Sequence, residues 1–310
     1  MPIEFGVSRH ASKIDKIDTT GDYKVHEQPI DTSKALEEVQ RSVEILISEL
    51  EKSPEGVIVA LQSSMVERAA ETKDLFAEEL RRALEDTDTI TCIELPESSD
   101  AVEAFFKKIE SQPKTKFVIT NMDATSLLGF EKKDSFVPAV NKWKKIFNGD
   151  ETLMAKLWAC HTSEIPALHQ ELQAKNIQVS ENLNPAEFIM TPEGRAARQV
   201  RWLKFMETIG KKYFPKRPLR VEAFSHNVAA DFATLALLDE DISYASINEL
   251  LGGNLRQPLE RSSVKFSDNS VTVQYRDLVK EYSFQEFDAV MKKIDEKAKL
   301  RQEEWKEFNK

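Results

Sequence analysis

The chain has 310 residues, of which 41% are hydrophobic and 31% are charged, so it can bury a substantial core. Its formal net charge of -10 argues against nonspecific binding to nucleic acid or to an anionic membrane surface, because both require a net basic face. No signal-peptide pattern and no long uncharged apolar stretch is visible, and we therefore expect a cytoplasmic protein. Cys92 and Cys160 lie far apart, which indicates neither a disulfide framework nor a thiolate metal site.

Short runs rich in β-branched and aromatic residues alternate with longer segments of helical period, which is typical of an α/β sheet covered by helices. We predict strands at residues 3–8, 57–62, 89–94, 116–120, 155–160, 177–180 and 219–224. Apolar residues spaced three and four apart predict two early helices, one with Leu36, Val39, Val43, Leu46, Ile47 and Leu50 and one with Met65, Ala69, Thr72, Phe76, Leu80 and Ala83. Thr191-Pro192 predicts the start of a helix that continues to about Tyr213, and Asn227 predicts the cap of another.

The C-terminal part of the chain changes character. The segment SVKFSDNSVTVQYR, residues 263–276, alternates apolar and polar residues around a polar turn and predicts a β-hairpin. The following tail, rich in Lys and Glu, keeps a near-heptad apolar spacing that Arg301 interrupts, and it predicts a long amphipathic helix. Two interpretations of this helix stay open: it docks on the parent domain, or it mediates self-association or fills a partner's groove.

These elements together predict a three-layer αβα sandwich with a mostly parallel central sheet. We expect an α/β domain over residues 1–282 with an insertion at about 98–176, because this stretch is long for one crossover. The C-terminal hairpin would extend the sheet, and residues 283–310 would form the amphipathic helix.

Three of the predicted strands end where the chain carries Arg or His, namely at Arg9-His10, at SSMVERAAET (63–72) and at Ser225-His226-Asn227. In open α/β sheets ligands bind at the carboxyl ends of the strands, so we expect these side chains to converge on one pocket that solvent reaches. A guanidinium group can donate two hydrogen bonds at once to two phosphate oxygens. Imidazole is a nitrogen nucleophile near neutral pH. Helix N-termini after Ser64 and Asn227 would add backbone N–H donors. The pattern therefore predicts a pocket for a phosphoryl group.

Competing chemistries lack their motifs. The chain contains no GxxxxGK[ST] loop, which excludes a nucleotide-hydrolase P-loop in its usual form. Neither cysteine is followed six residues later by an arginine, as a cysteine phosphatase loop would require. The spacing of His161 and His169 matches no metal-ligand signature. We expect neither a metal ion nor a cofactor.

The ordered motifs RHA (9–11), SxxxRAxxT (64–72) and SH (225–226) resemble those of the histidine phosphatase superfamily, the phosphoglycerate-mutase-like group. The resemblance implies that His10 is the phosphorylated nucleophile, that Arg9 and Arg68 clamp the phosphate, and that His226 with the neighbouring Asn227 helps to bind it. It also implies a metal-independent reaction on a phosphorylated small molecule or a phosphoprotein, most simply phosphomonoester hydrolysis and, as a less favoured alternative, a phosphomutase reaction.

The sequence departs from that family pattern at several positions. Ala11 replaces the usual glycine after the first histidine, and Asn227 replaces the aspartate that serves as proton donor in the acid-phosphatase branch. The mutase-like branch takes a glutamate from a loop after the RAxxT helix, for which Glu97, or Glu94 before it, is the candidate, with Glu187 as a rival. Two further interpretations stay open: a catalytically degenerate member that binds a phosphorylated ligand or a protein, and an α/β scaffold without a pocket.

Overall fold

A computed structural model of the chain describes residues 2–14, 29–85, 89–122, 126–128, 137–179, 182–188 and 190–308. The strands in these ranges are β1 (Ile3–Arg9), β2 (Ile58–Ser63), β3 (Ile90–Ile93), β4 (Lys116–Ile119), β5 (Leu219–Ser225), β6 (Arg261–Phe266), β7 (Ser270–Tyr275) and β8 (Leu278–Ser283). The α-helices are α1 (Thr32–Lys52), α2 (Glu67–Leu84), α3 (Ser99–Glu110), α4 (Val137–Ile146), α5 (Glu151–Ala159), α6 (Ile165–Ala174), α7 (Pro192–Tyr213), α8 (Asn227–Leu237), α9 (Tyr244–Glu249) and α10 (Phe284–Phe308). None of the helices in the described ranges is both long enough and apolar enough to cross a bilayer.

All eight strands belong to one sheet with the order β3-β4-β2-β5-β1-β6-β7-β8. The first five are mutually parallel, and β6, β7 and β8 continue the sheet as an antiparallel meander. In register, Arg9 at the end of β1 lies opposite Ser225 of β5, and Ser63 of β2 lies opposite Phe224. The carboxyl ends of β1, β2 and β5 therefore meet at one edge of the sheet, which is where open α/β sheets bind ligands.

The two faces of the sheet are covered by different helices. Along β2, Val59 and Leu61 pack in one core cluster with the buried faces of α1 and α2, whereas Ile58 and Ala60 pack in a second cluster with residues of α7, including Trp202. This alternation is expected because successive side chains of a strand point to opposite faces. The prediction of a three-layer αβα sandwich around a mostly parallel sheet is confirmed.

The C-terminal helix α10 packs against α7 and α8, and against the strands β7 and β8 of the meander. Its apolar stripe buries Phe287, Val290, Ile294 and Trp305. Arg301, the residue that interrupts the stripe, is also buried, and its guanidinium donates to Glu193 of α7 over 2.9 Å. A buried cation in an apolar stripe is thus accommodated by a carboxylate on the neighbouring helix. The domain boundaries inferred from the sequence stay a prediction.

Several local predictions are wrong. Residues 155–160 lie largely in α5 instead of a strand, and residues 177–179 form no strand, while residue 180 is outside the described ranges. Every residue of α5 from Leu153 to Ala159 is buried, so its short apolar run lacks the periodicity that separates a helix from a strand. The cap of α8 is His226, one residue before the predicted Asn227. By contrast, Thr191 caps α7 as predicted, and its hydroxyl accepts from the Gly194 amide over 3.0 Å.

A fully buried ion pair between Arg256 and Asp231 binds the C-terminal part of β1. Arg256 Nε donates to Asp231 Oδ1 of α8 over 2.8 Å, and Nη1 donates to the carbonyl of Val7 in β1 over 2.7 Å. Nη2 donates to Thr234 Oγ1 over 2.8 Å. The backbone carbonyl of Arg256 in turn accepts from Arg9 Nη1 over 3.0 Å. The pair therefore fixes the end of β1 and one guanidinium at the edge of the sheet.

We predict that Arg256→Met lowers the free energy of unfolding by about 3–5 kcal/mol, because it leaves the Asp231 carboxylate buried without its partner. The double variant Arg256→Met/Asp231→Asn should lose clearly less, since it removes both charges. Urea denaturation of the wild type, of Arg256→Met, of Asp231→Asn and of the double variant measures the difference. A double variant as unstable as the sum of the two single changes would contradict the assignment of the cost to an unpaired buried charge.

Candidate active site

The three strand ends are tied to one another through their backbones. The His10 amide, just after β1, donates to the carbonyl of Ser225 at the end of β5 over 2.8 Å. The Ser64 amide, just after β2, donates to the carbonyl of Phe224 over 2.8 Å. These bonds extend the parallel ladders by one residue beyond each strand, so the residues that follow the strands have fixed positions.

Arg68 in the first turn of α2 bridges two histidines from the other strand ends. Its Nε lies 2.9 Å from His10 Nε2, and its Nη2 lies 3.0 Å from His226 Nδ1. The two imidazole centroids are 5.5 Å apart. The structure thus brings three of the residues singled out in the sequence into one hydrogen-bonded cluster.

These contacts determine which ring nitrogens carry protons. A guanidinium group only donates hydrogen bonds, so His10 Nε2 and His226 Nδ1 must both be acceptors. The proton of neutral His10 is then on Nδ1, which donates to the carbonyl of Ala11 over 2.7 Å. The proton of neutral His226 is on Nε2, 3.1 Å from Ser64 Oγ. His10 therefore directs a nitrogen lone pair toward Arg68.

Thr72 explains the last position of the SxxxRAxxT motif. Its Oγ1 accepts a hydrogen bond from the Ala11 amide over 3.1 Å and donates to the carbonyl of Arg68, one turn earlier in α2, over 2.6 Å. One buried hydroxyl thus connects the loop that carries His10 to the helix that carries Arg68. Ala11, which replaces the glycine of the family pattern, is fully buried in this contact.

Both imidazoles are uncharged at neutral pH. Burial, together with the positive charges of Arg68, Arg9 and Lys13, lowers the pKa of His10 well below its ordinary value. Burial and the charge of Arg68 also lower the pKa of His226 well below its ordinary value. In both cases the cause is the same: a buried imidazolium would lose hydration and face a fixed cation.

The expectation that solvent reaches both histidines is wrong. His10 and His226 are each 1% exposed, and Arg68 is 6% exposed. The bridging guanidinium covers the ring nitrogens, and the neighbouring Ser64 and Ser225 are fully buried around them.

Arg9 lies beside this cluster and makes two contacts. Its Nη1 donates to the carbonyl of Arg256 over 3.0 Å, and its Nη2 lies 3.4 Å from Glu151 Oε2. Among the residues that the structure describes, none accepts a hydrogen bond from its buried Nε. Glu151 also binds Lys13 at 2.6 Å and Lys144 at 3.2 Å.

Glu151 is the carboxylate that the structure adds to the site residues inferred from the sequence. Burial alone would raise its pKa, but the charges of Lys13, Lys144 and Arg9 hold the pKa well below its usual range. Glu151 is therefore ionised. It begins α5 and follows no strand. The rule that ligands bind at the carboxyl ends of strands therefore did not point to Glu151.

The candidate proton donors lie elsewhere. Glu97 is exposed in the loop after β3, and Glu94, also exposed, pairs with Arg81 at 2.6 Å. Glu187 accepts from Lys142 Nζ over 2.8 and 3.0 Å. Within the described ranges none of the three glutamates is hydrogen-bonded to the histidine cluster.

Asn227 and His161 were also considered as site residues in the sequence. The backbone of Asn227 begins α8, but its side chain lies outside the described part of the structure. No group of three or more His, Cys, Asp and Glu side chains in that part is arranged to hold a metal ion. His161 instead lies 2.8 Å from Asp241 and 3.1 Å from Glu304.

The comparisons with known proteins give matches among solved structures alone. No family model matches the chain, and no curated protein matches its sequence. Among solved structures, the chain is similar to a histidine-to-alanine variant of phosphoserine phosphatase from Entamoeba histolytica in complex with phosphoserine. The match covers 88% of this chain and 95% of that one, at 9% identity and a TM-score of 0.33. At these values it carries no argument about function.

We predict that the free energy of unfolding falls as the pH is lowered below about 6.5, where histidines of the unfolded chain begin to bind protons. His10 and His226 have lowered pKa values in the folded chain, so they stay unprotonated there, and each contributes a slope of up to about 1.4 kcal/mol per pH unit. His161 acts in the opposite direction and in a different interval: hydrogen bonding to Asp241 raises its pKa, so its contribution is complete below about pH 6.5 and is lost as the pH rises through the raised value.

Urea denaturation between pH 5 and 8, an interval of about three units around the histidine pKa, tests this prediction. The double variant His10→Gln/His226→Gln should have a flatter profile than the wild type, and His161→Gln should have a steeper one. An unchanged slope in the double variant would contradict the neutral, buried state of the two imidazoles.

Proposed function

We propose that the chain is a phosphatase of the histidine phosphatase type, which hydrolyses phosphomonoesters through a phosphohistidine on His10. One observation carries the proposal: Arg68 donates to both His10 Nε2 and His226 Nδ1 over 2.9 and 3.0 Å. A nitrogen nucleophile, a permanent cation and a second imidazole are thereby gathered where a phosphoryl group would need them.

In the first step the phosphoryl dianion takes over the donors of Arg68 and Arg9, whose guanidinium groups match its oxygens. The negative charge of the ligand raises the pKa of His226, so that this imidazole gains a proton and donates to the phosphate as well. His10 Nε2 attacks phosphorus in line. The N–P bond forms as the ester P–O bond breaks, and the leaving oxygen takes a proton from a general acid.

In the second step a water molecule attacks the phosphorus of the phosphohistidine. Its proton passes to the conjugate base of the same acid, the N–P bond breaks, and the electron pair returns to His10 Nε2. Inorganic phosphate then leaves. Neither step requires a metal ion or a cofactor. A phosphomutase would share the first step and replace water with a second hydroxyl of the substrate.

A substrate must reach a nucleophile that is buried in the free protein. Because both imidazoles are 1% exposed, the substrate reaches His10 only when Arg68 exchanges its bonds to the rings for bonds to the phosphoryl group. A ligand can supply this rearrangement only through its greater affinity for the opened state. A phosphate dianion does so because it is a stronger acceptor for a guanidinium than a neutral imidazole.

A second candidate is a protein that binds a phosphorylated small molecule or phosphoprotein without turnover. It is favoured by the positions of the candidate proton donors. Glu187 forms an ion pair with Lys142, and Glu97 is exposed and outside the histidine cluster. The same pocket would then retain its phosphate affinity but lack leaving-group protonation.

We predict that the wild-type chain hydrolyses an aryl phosphate in the presence of a chelator and that His10→Ala lowers kcat at least about 10³-fold, because the nucleophile is lost. His169→Ala is the matched control, since this half-buried histidine is on α6, and it should retain full activity. Equal turnover by wild type and His10→Ala would contradict the proposed enzyme. Phosphate binding that Arg68→Ala abolishes, without turnover in the wild type, would establish the second candidate.

We predict that one of the two glutamates Glu97 and Glu187 protonates the leaving group. Glu97→Gln and Glu187→Gln are compared in kcat with substrates of different leaving-group pKa. The variant that has lost the acid should slow by about 10² to 10⁴-fold for poor leaving groups and much less for good ones. If neither variant shows this dependence on the leaving group, both assignments are wrong.

A further inference from the structure

Glu151 joins three cations that come from separate parts of the fold. Arg9 ends β1 and Lys13 follows it, whereas Lys144 is on α4 and Glu151 begins α5. The side chains of Lys144 and Lys13 are 3% and 9% exposed, and that of Glu151 is 20% exposed. This nearly buried cluster is a direct contact between the helical segment that follows β4 and the loop that carries His10.

The three contacts differ in length. Glu151 Oε1 lies 2.6 Å from Lys13 and 3.2 Å from Lys144, whereas Glu151 Oε2 lies 3.4 Å from Arg9. Arg9 is held in place by its bond to the carbonyl of Arg256, and its Nε has no acceptor in the described part of the chain. The carboxylate therefore binds the two lysines firmly and contacts the guanidinium at the limit of hydrogen-bond distance.

We propose that Glu151 is the counter-ion of the phosphate pocket, a positioning residue whose carboxylate competes with a phosphoryl group for Arg9. The proposal rests on the proposed function. A phosphate that enters the pocket takes Nη2 and Nε of Arg9, while Glu151 keeps Lys13 and Lys144. Its negative charge then opposes the bound dianion, which limits the affinity for inorganic phosphate and favours release of the product.

A role of Glu151 as proton donor is less well supported. Its three cationic neighbours keep it ionised, and an ionised carboxylate has no proton to give. A general acid works best when its pKa lies near the working pH. In the described part of the chain Glu151 makes no hydrogen bond to His10 or His226, whereas its contact with Arg9 is direct.

The test is calorimetric titration of the full chain with inorganic phosphate. Glu151→Gln keeps the shape of the side chain and removes its charge, so we expect phosphate to bind about tenfold more tightly, as the loss of one opposing charge several ångströms away predicts. Glu171→Gln is the matched control. Glu171 pairs with Lys156 of α5 at 2.8 Å, with side-chain exposures of 18% and 5%, and this variant should bind phosphate like the wild type.

Lys13→Met should change the affinity for phosphate in the opposite direction. It removes a cation and leaves Glu151 to contact Arg9 more closely, so phosphate should bind several-fold more weakly. An effect on folding alone would weaken binding in both variants, whereas the proposal requires opposite changes. If Glu151→Gln does not fold, Lys13→Met decides the question, and unchanged affinity in that variant overturns the proposal.

A second readout is the pKa of His226, followed by NMR of the imidazole. The charge of Glu151 acts to raise this pKa, so Glu151→Gln should lower it, whereas a purely structural role would leave it unchanged. Equal phosphate affinity in Glu151→Gln and wild type overturns the counter-ion role alone. Phosphate binding that survives Arg68→Ala contradicts the proposed function, and a wild type that binds no phosphate contradicts both.

Discussion

The guanidinium of Arg68 holds the two strand-end histidines in one arrangement. Since it only donates hydrogen bonds, it requires an unprotonated nitrogen on each ring, and the buried surroundings keep both rings neutral. The imidazoles satisfy hydrogen bonds of Arg68 but contribute no negative charge. In the function that we propose, an incoming phosphate would gain a permanent cation and would release the His10 lone pair for attack.

The pocket depends on the core of the sandwich. Arg256 and Asp231 form a fully buried pair that binds β1, and the carbonyl of the same arginine holds Arg9. Glu151 also connects Arg9 to the helices that follow β4. The position of one guanidinium thus depends on a buried ion pair and on a carboxylate from a separate segment, so changes far along the chain can alter the position of Arg9 without touching His10.

The sequence was most informative where periodicity and the strand-end rule apply. β1, β2 and β5 are recognisable from their apolar runs, and the rule that ligands bind at the carboxyl ends of strands was sufficient to associate His10, Arg68 and His226. Apolar periodicity failed for α5, whose residues from Leu153 to Ala159 are all buried, and for β8, an edge strand with exposed Val279. The residues of α5 show no helical spacing of apolar positions, and the sequence of β8, LVKEYS, does not alternate apolar and polar residues.

Other features of the site arise only from tertiary contacts. Glu151 begins a helix and Arg256 lies between α9 and β6, and neither position is marked by a motif. The near-complete burial of His10 and His226 was also unforeseen, because a strand end in an open sheet is ordinarily accessible. Arg68, which donates to one nitrogen of each ring, is itself buried.

The most direct test of this account is a crystal structure of the chain with orthovanadate, which resembles a phosphoryl group in transfer. The account predicts vanadium bonded to His10 Nε2, with Arg9, Arg68 and His226 on its equatorial oxygens and the bond from Arg68 to His10 broken. Vanadate bound elsewhere, or a histidine cluster that stays closed at saturating vanadate, would contradict it.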